Sequence, residues 1–412
     1  MKKNASIFIK RAAAAVVLFS ALTAFCSCSS SVVGLFGEPY DAFWESAFAP
    51  SETDAETETF DDTETSSETE VPAPPDLPQG DAEPLGIRSF MDGQEAEIYD
   101  VIYANVKNGV YTFDIPFNAE RDDRYMLMKC IYSFNYDHPE FFVLDGSAEY
   151  DWRRGDGRVT VTLGQVELPD GLVAEEILKE TKEKIDEVSS AASSLPTDFD
   201  KILYVHDYIV NNTVYDASAD DYVYTNTPYG CLVKGRCVCG GYASAFSCVM
   251  HALGINCLYV FGSADNGVKY DMHGWNLVES EGEWYVMDVT WDDTGTADRS
   301  GSEASYDYFC ITTEEAMKNH YFVNRFVTLP ICTATELNYH RHLGLYLEEY
   351  SFDGVKEIFD RGFTTVKFSD DDELEKAVAD LFVIGKFYMI ESVRDDVTGY
   401  YAKNGILTLA TG

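Results

Sequence analysis

The sequence predicts an α+β protein built from several units. Apolar residues at 242, 245, 246, 249, 250 and 253 follow the i, i+3, i+4, i+7 spacing of a buried helix. Segments 273–279 and 284–290 alternate as half-buried strands do, around the turn-forming Ser280-Glu281-Gly282-Glu283. Helix-period and strand-period stretches follow one another in mixed order on both sides of this region, the pattern of an α+β architecture.

At the N-terminus, Lys2, Lys3, Lys10 and Arg11 surround or precede the apolar stretch 12–25, which is too short for an ordinary membrane span and has the form of an export signal. It ends in Phe25-Cys26-Ser27-Cys28, where Cys28 behind the small Ser27 suits lipid attachment. Simple signal cleavage is the alternative. Residues 1–28 are therefore expected to be a signal or lipoprotein peptide. Residues 29–85, rich in Ser, Thr, Asp, Glu and Pro, form a disordered acidic linker on this reading.

The chain of 412 residues carries 71 Asp and Glu against 30 Lys and Arg, a net charge of −41. That balance argues against a nucleic-acid partner and against electrostatic attachment to an anionic membrane. Nine acidic and no basic residues fall in 51–70, so part of the excess belongs to the linker and not to a folded surface. The expected location is outside the cell, at a bacterial surface, with membrane contact only through the lipid anchor.

Order is expected from 86. Residues 86–170 combine helices at 95–107 and 125–135 with strands at 109–115, 149–152 and 158–163, a small α+β unit. Residues 171–345 open with an amphipathic helix at 175–194 and a second at 199–211, on one face of which Ile202, Val205, His206 and Ile209 fall. The tail, 346–412, reads as a small α/β module with strands at 365–368 and 386–392 around a helix at 372–381.

Three motifs in 171–345 carry chemistry. In Arg236-Cys237-Val238-Cys239-Gly240-Gly241-Tyr242-Ala243, the helix that follows places Cys239 at a first turn, where unpaired N–H groups and the dipole favour a thiolate. Gly240-Gly241 clears side chains from the approach of a carbonyl and exposes N–H groups to an oxyanion. The bland alternative is a buried structural cysteine, the reading adopted for Cys237 and Cys248. Zinc on Cys237, Cys239 and His273 is disfavoured for want of a second spaced ligand pair. The other cysteines are scattered singly and suit buried thiols, with a Cys231–Cys237 bridge left open.

The other two motifs are His273-Gly274-Trp275-Asn276 and Asp288-Val289-Thr290-Trp291-Asp292-Asp293. A two-residue Glu281-Gly282 turn pairs Ser280 with Glu283, which sets Trp275 opposite Asp288 and His273 opposite Thr290. His273 and Asp288 then become diagonal neighbours on one face, within reach of an imidazole–carboxylate hydrogen bond. A slip of one residue would separate them. His206, His251 and His320 have no such company and are read as structural; Trp275, Trp284 and Trp291 are read as core or wall.

The string from Tyr229-Gly230-Cys231-Leu232 to Cys239-Gly240-Gly241-Tyr242-Ala243 resembles the nucleophile segment of bacterial transglutaminase-like proteins. His273-Gly274-Trp275-Asn276 resembles their His-Ala-Trp-Asn, and Trp284-Tyr285-Val286-Met287-Asp288 their Asp segment; Tyr308-Phe309 and Asn319-His320 extend the likeness. The resemblance covers roughly 200–322. It implies a papain-like core, a Cys helix packed on an antiparallel sheet, with small α+β modules flanking it. It also implies Cys239 as nucleophile, His273 as base and Asp288 as orienter, with no metal or other cofactor. Gly274 departs from the family's Ala, and the oxyanion side chain, Gln or Trp in better-known relatives, has no evident match.

The expected function is acyl transfer on peptide or isopeptide amides through a thioester, with hydrolysis ahead of transamidation. Protein or peptide substrates are the expected partners, cell-wall peptides among them. The alternative is a non-catalytic surface binding or scaffold protein with a vestigial core.

Overall fold

The computed structural model describes residues 85–91, 93–116, 124–153, 157–218, 221–295, 304–323 and 328–411, so Cys28 and the linker through residue 84 lie outside the described residues. The first unit comprises α1 (Gly93–Val106), β1 (Thr112–Pro116), α2 (Arg124–Asp137), β2 (Leu144–Arg153) and β3 (Arg158–Gln165). Its strands form an antiparallel sheet in the order β1-β3-β2.

Two long helices follow, α3 (Ala174–Ser193) and α4 (Asp198–Asn212). Thr197 caps α4 by accepting a hydrogen bond from the Asp200 N–H at 3.1 Å. After β4 (Val214–Tyr215), α5 (Tyr222–Thr225) and β5 (Arg236–Cys237) comes the predicted helix, α6 (Cys239–Ala252). Its C-terminal turn ends at Gly254, whose φ of +75° continues no helix.

The central sheet contains β6 (Cys257–Asp265), β7 (Tyr270–Ser280), β8 (Glu283–Met287) and β9 (His320–Phe322), all antiparallel in the order β8-β7-β6-β9. Side-chain alternation gives it two apolar faces. Val278, Tyr285 and Met287 join α3, α4 and α6 in one core, which includes Val188, Ile202, Phe246 and Val249. Val260, Trp275, Leu277 and Val286 join the first unit's Ile98, Ile102, Leu127 and Val161 in another. The sheet is thus covered on both sides. This is the α+β arrangement expected from the sequence, with the Cys239 helix packed on an antiparallel sheet.

Between β8 and β9 lie the helical turns α7 (Val289–Asp292) and α8 (Thr313–Ala316). Beyond β9, α9 (Tyr339–His342) leads to a terminal unit of β10 (Tyr346–Leu347), α10 (Phe352–Asp360), β11 (Thr365–Phe368), α11 (Asp371–Val378), β12 (Val397–Lys403) and β13 (Ile406–Thr411). Its sheet runs β10-β11-β13-β12. The strand expected at 386–392 is absent: Lys386–Met389 is a 3-10 turn. The strands are instead a later hairpin closed by Asn404-Gly405, both with positive φ, a turn signal that the sequence reading passed over. Among the described residues, no helix is long and apolar enough to cross a membrane.

Candidate active site

Cys239 opens α6 and is 6% exposed. Val238 holds the N-cap position in extended conformation and supplies no side-chain cap, so the helix's positive end is not neutralised by a capping oxygen from that residue. The glycines that follow have packing reasons of their own. A Cβ on Gly241 would lie 2.4 Å from the Cys237 Cβ, so this glycine serves close inward packing and not an open substrate approach. A Cβ on Gly240 would lie 2.7 Å from Asn226 Oδ1 and 3.2 Å from the Tyr259 hydroxyl.

Tyr259 links the two halves of the site. A Cβ on Gly274, the residue after His273, would fall 2.9 Å from the Tyr259 ring and 3.1 Å from its hydroxyl. The residues following Cys239 and His273 therefore abut the same phenol. The Tyr259 ring fills the space that a Cβ at Gly274 would take.

The hairpin register is the one the alternation predicts, running from Ser280↔Glu283 to Asn276↔Met287. Glu281 and Gly282 have φ of 54° and 82°, as a two-residue turn with both central residues left-handed requires. The strand expected to reach 290 stops at Met287, because Asp288 caps α7 and its Oδ1 accepts from the N–H groups of Thr290 (3.0 Å) and Trp291 (3.1 Å). The pairs Trp275–Asp288 and His273–Thr290 do not form in the ladder. His273 and Asp288 meet all the same, with His273 Nε2 at 2.6 Å from Asp288 Oδ2.

A third side chain reaches this carboxylate. His320 on β9, expected to be structural only, places Nε2 at 3.0 Å from the same Asp288 Oδ2. Burial alone would raise the Asp288 carboxyl, but the charge and hydrogen bond of His273, joined by the hydrogen bond of His320, hold it well below the usual carboxylate range. Burial lowers the His320 imidazole, against the pull of Asp288. Although His273, Asp288 and His320 could together ligate a cation, their contacts of 2.6 and 3.0 Å are hydrogen-bond lengths. Ligands at about 2.0–2.2 Å around tetrahedral zinc stand further from one another.

Trp291 packs against both imidazoles, its ring 5.4 Å from that of His273 and 4.5 Å from that of His320. Beside His273 lies a shallow surface depression bordered by Ala264, Asn266, Lys269, Asp271, Met272 and Trp291. Behind the site, His206 and Asp292 form a second imidazole–carboxylate pair at 3.3 Å, both fully buried. All eight described cysteines are buried and none is in a disulfide, Cys231 and Cys237 included. Burial pushes the Cys130 thiol up to about 12 and that of Cys332 to about 11.

Sequence reading passed over Asn226 and Tyr259 and gave His320 a structural role only. Only His320 left a signal, in the Asn319-His320 pair, and spacing alone gave it no partner.

The model of the Transglutaminase-like superfamily matches residues 186–289, a segment that includes Cys239, His273 and Asp288 but stops short of His320. No curated protein sequence matches the chain. Among solved structures, the chain is similar to a TGase at 14% identity and a TM-score of 0.27, covering 46% of this chain and 53% of that one. It is similar to a candidate cysteine protease from Cytophaga hutchinsonii at 14% identity and a TM-score of 0.23, covering 35% and 61%. A candidate protease from Parabacteroides distasonis gives 12% identity and a TM-score of 0.20, covering 39% and 40%. The chain thus spans about half the length of the TGase structure it matches. The superfamily match supports a cysteine-based acyl-transfer or peptidase activity in general.

Proposed function

We propose that this protein transfers acyl groups from peptide or isopeptide amides through a thioester on Cys239. The observation that carries the reading is the buried His273–Asp288 hydrogen bond, with His273 on the strand that Asn276 ties to the helix opened by Cys239. With Nε2 given to Asp288, His273 serves the thiol through Nδ1. The Cys239 thiolate attacks the amide carbonyl carbon, and the tetrahedral oxyanion forms near the first-turn N–H groups of α6. The C–N bond breaks as His273 gives its proton to the departing amine. Water, or a second amine, then attacks the thioester carbonyl as His273 takes its proton, and the C–S bond breaks to return Cys239 as the leaving thiolate beside the protonated His273.

Hydrolysis is placed ahead of cross-linking, with peptides outside the cell as substrates and Cys28 as the lipid-bearing residue. Iodoacetamide tests the nucleophile: Cys239 is expected to alkylate near neutral pH faster than an unfolded thiol, and His273→Ala to abolish the difference. Equal rates in the wild type would leave a binding or scaffold protein as the reading. A glutamine peptide offered with a labelled amine separates the two reactions, since hydrolysis yields only acid and transamidation incorporates label. Incorporation of labelled fatty acid that is lost in Cys28→Ser tests the anchor.

A further inference from the structure

We propose that His320 is a positioning residue for the Asp288–His273 pair. The inference rests on the reading of Cys239 and His273 given above, and it concerns a residue outside the matched family segment. Asp288 is fully buried, so each lone pair of its carboxylate needs a donor within the protein. The backbone N–H groups of Thr290 and Trp291 satisfy Oδ1. Oδ2 has two directions to fill: His273 takes one at 2.6 Å and His320 the other at 3.0 Å. Without His320 the carboxylate keeps a buried, unsatisfied direction and is free to turn away from His273.

The surroundings suit a neutral donor. His320 is 1% exposed and enclosed by the rings of Trp275, Trp291 and Tyr308 at 4.9, 4.5 and 5.4 Å. The titratable groups facing it are Asp288, His273 and Tyr308. Its Nδ1 lies 2.6 Å from Asn319 Oδ1, and Asn319 Nδ2 donates to the Tyr308 hydroxyl at 2.7 Å. Exchange of that amide's like-shaped nitrogen and oxygen gives Nδ1 a donor and leaves His320 a neutral imidazole that still donates Nε2–H to Asp288. That matters when His273 becomes an imidazolium, because the ligating atoms of the three residues lie within 4.8 Å of one another. A charged His320 would oppose the proton transfer that a neutral one supports.

The test follows the alkylation of Cys239 against pH in the full chain, read at its own peptide by mass spectrometry. His320→Phe keeps an apolar ring but removes the donor. It is expected to slow alkylation about tenfold at neutral pH, the lower end for loss of a partner that orients a working side chain, and to move the acid limb of the profile to higher pH. His320→Gln, which retains an N–H, is expected to recover most of the rate. A reactive wild type with an unchanged rate and profile in His320→Phe overturns the proposal alone, whereas an unreactive wild type overturns the nucleophile reading. Should His320→Phe fail to fold, ¹⁵N spectra of labelled histidines in the wild type decide the matter. His320 is expected to stay neutral and Nε2-protonated while His273 titrates, and a His320 that is cationic at neutral pH overturns the proposal.

Discussion

Asn276 on β7 donates its side-chain N–H to the carbonyl oxygen of Ala243 on α6 at 3.0 Å, in a buried contact between the His273 strand and the Cys239 helix. Asn276 lies three residues after His273 and Ala243 four after Cys239, so this bond fixes how the helix sits along the strand. Asn276→Leu is expected to lower unfolding free energy by about 1 kcal/mol, the net worth of the lost hydrogen bond, since the Ala243 carbonyl keeps its place in the helix ladder. Cys239 alkylation should fall further than the folded fraction does. Denaturant titration and alkylation on the same preparation check both.

The close approach of Tyr259 to Gly274 makes a second prediction. Gly274→Ala drives a methyl to 2.9 Å from the phenol and is expected to destabilise by about 1–3 kcal/mol. Tyr259→Leu removes the obstacle. The double variant should therefore be less destabilised than the sum of the single changes, as neighbouring sites that share one space require. A strictly additive result in denaturant titrations would remove the packing account.

Asp288→Asn keeps the shape of the orienting group and removes its charge. Loss of Cys239 reactivity by about 10³-fold or more is expected, the scale known for an orienting carboxylate exchanged for its amide. Because the folded-state pKa of Asp288 is depressed, its contribution to stability is fully present above about pH 4 and lost as the pH falls toward the folded value. Acid unfolding of Asp288→Asn should accordingly show a shallower loss of stability below that pH than the wild type.

The His206–Asp292 pair carries the opposite pH dependence. Burial opposes the charge on His206, but its hydrogen bond with Asp207 and the charges of Asp207 and Asp292 raise it to about 8. Burial raises Asp292 to about 7. Both groups hold protons more tightly in the folded state than in the unfolded chain. The stability contributed by His206 is complete below about pH 6.5 and is lost as the pH rises through the folded value, and that of Asp292 declines over a lower range. Unfolding free energy should fall on the order of 1–2 kcal/mol between about pH 6 and 8.5, and the His206→Gln/Asp292→Asn variant should flatten that slope.

Local pattern was enough to read the helix after Cys239, the Glu281–Gly282 turn and the register that follows from it. Each depends on the spacing of side chains along one short segment or on a turn that only left-handed residues close. The same logic brought His273 toward Asp288, because the register of a hairpin is a local property. It failed at residue 288, where a capping carboxylate ended the strand, and at 386–392, where apolar residues formed a 3-10 turn.

What only the tertiary structure decided is which distant residues complete the site. Tyr259 reaches Gly240 and Gly274 because β6 pairs alongside the His273 strand in the sheet on which the Cys239 helix packs. His320 reaches Asp288 because β9 pairs on the far side of β6, with His320 aligned to Ala264. Neither contact has a period or spacing in the chain. The sequence by itself determined the α+β core and its thiol, imidazole and carboxylate. Long-range strand order decided that the carboxylate answers to two imidazoles and that one tyrosine separates the glycines beside the other two.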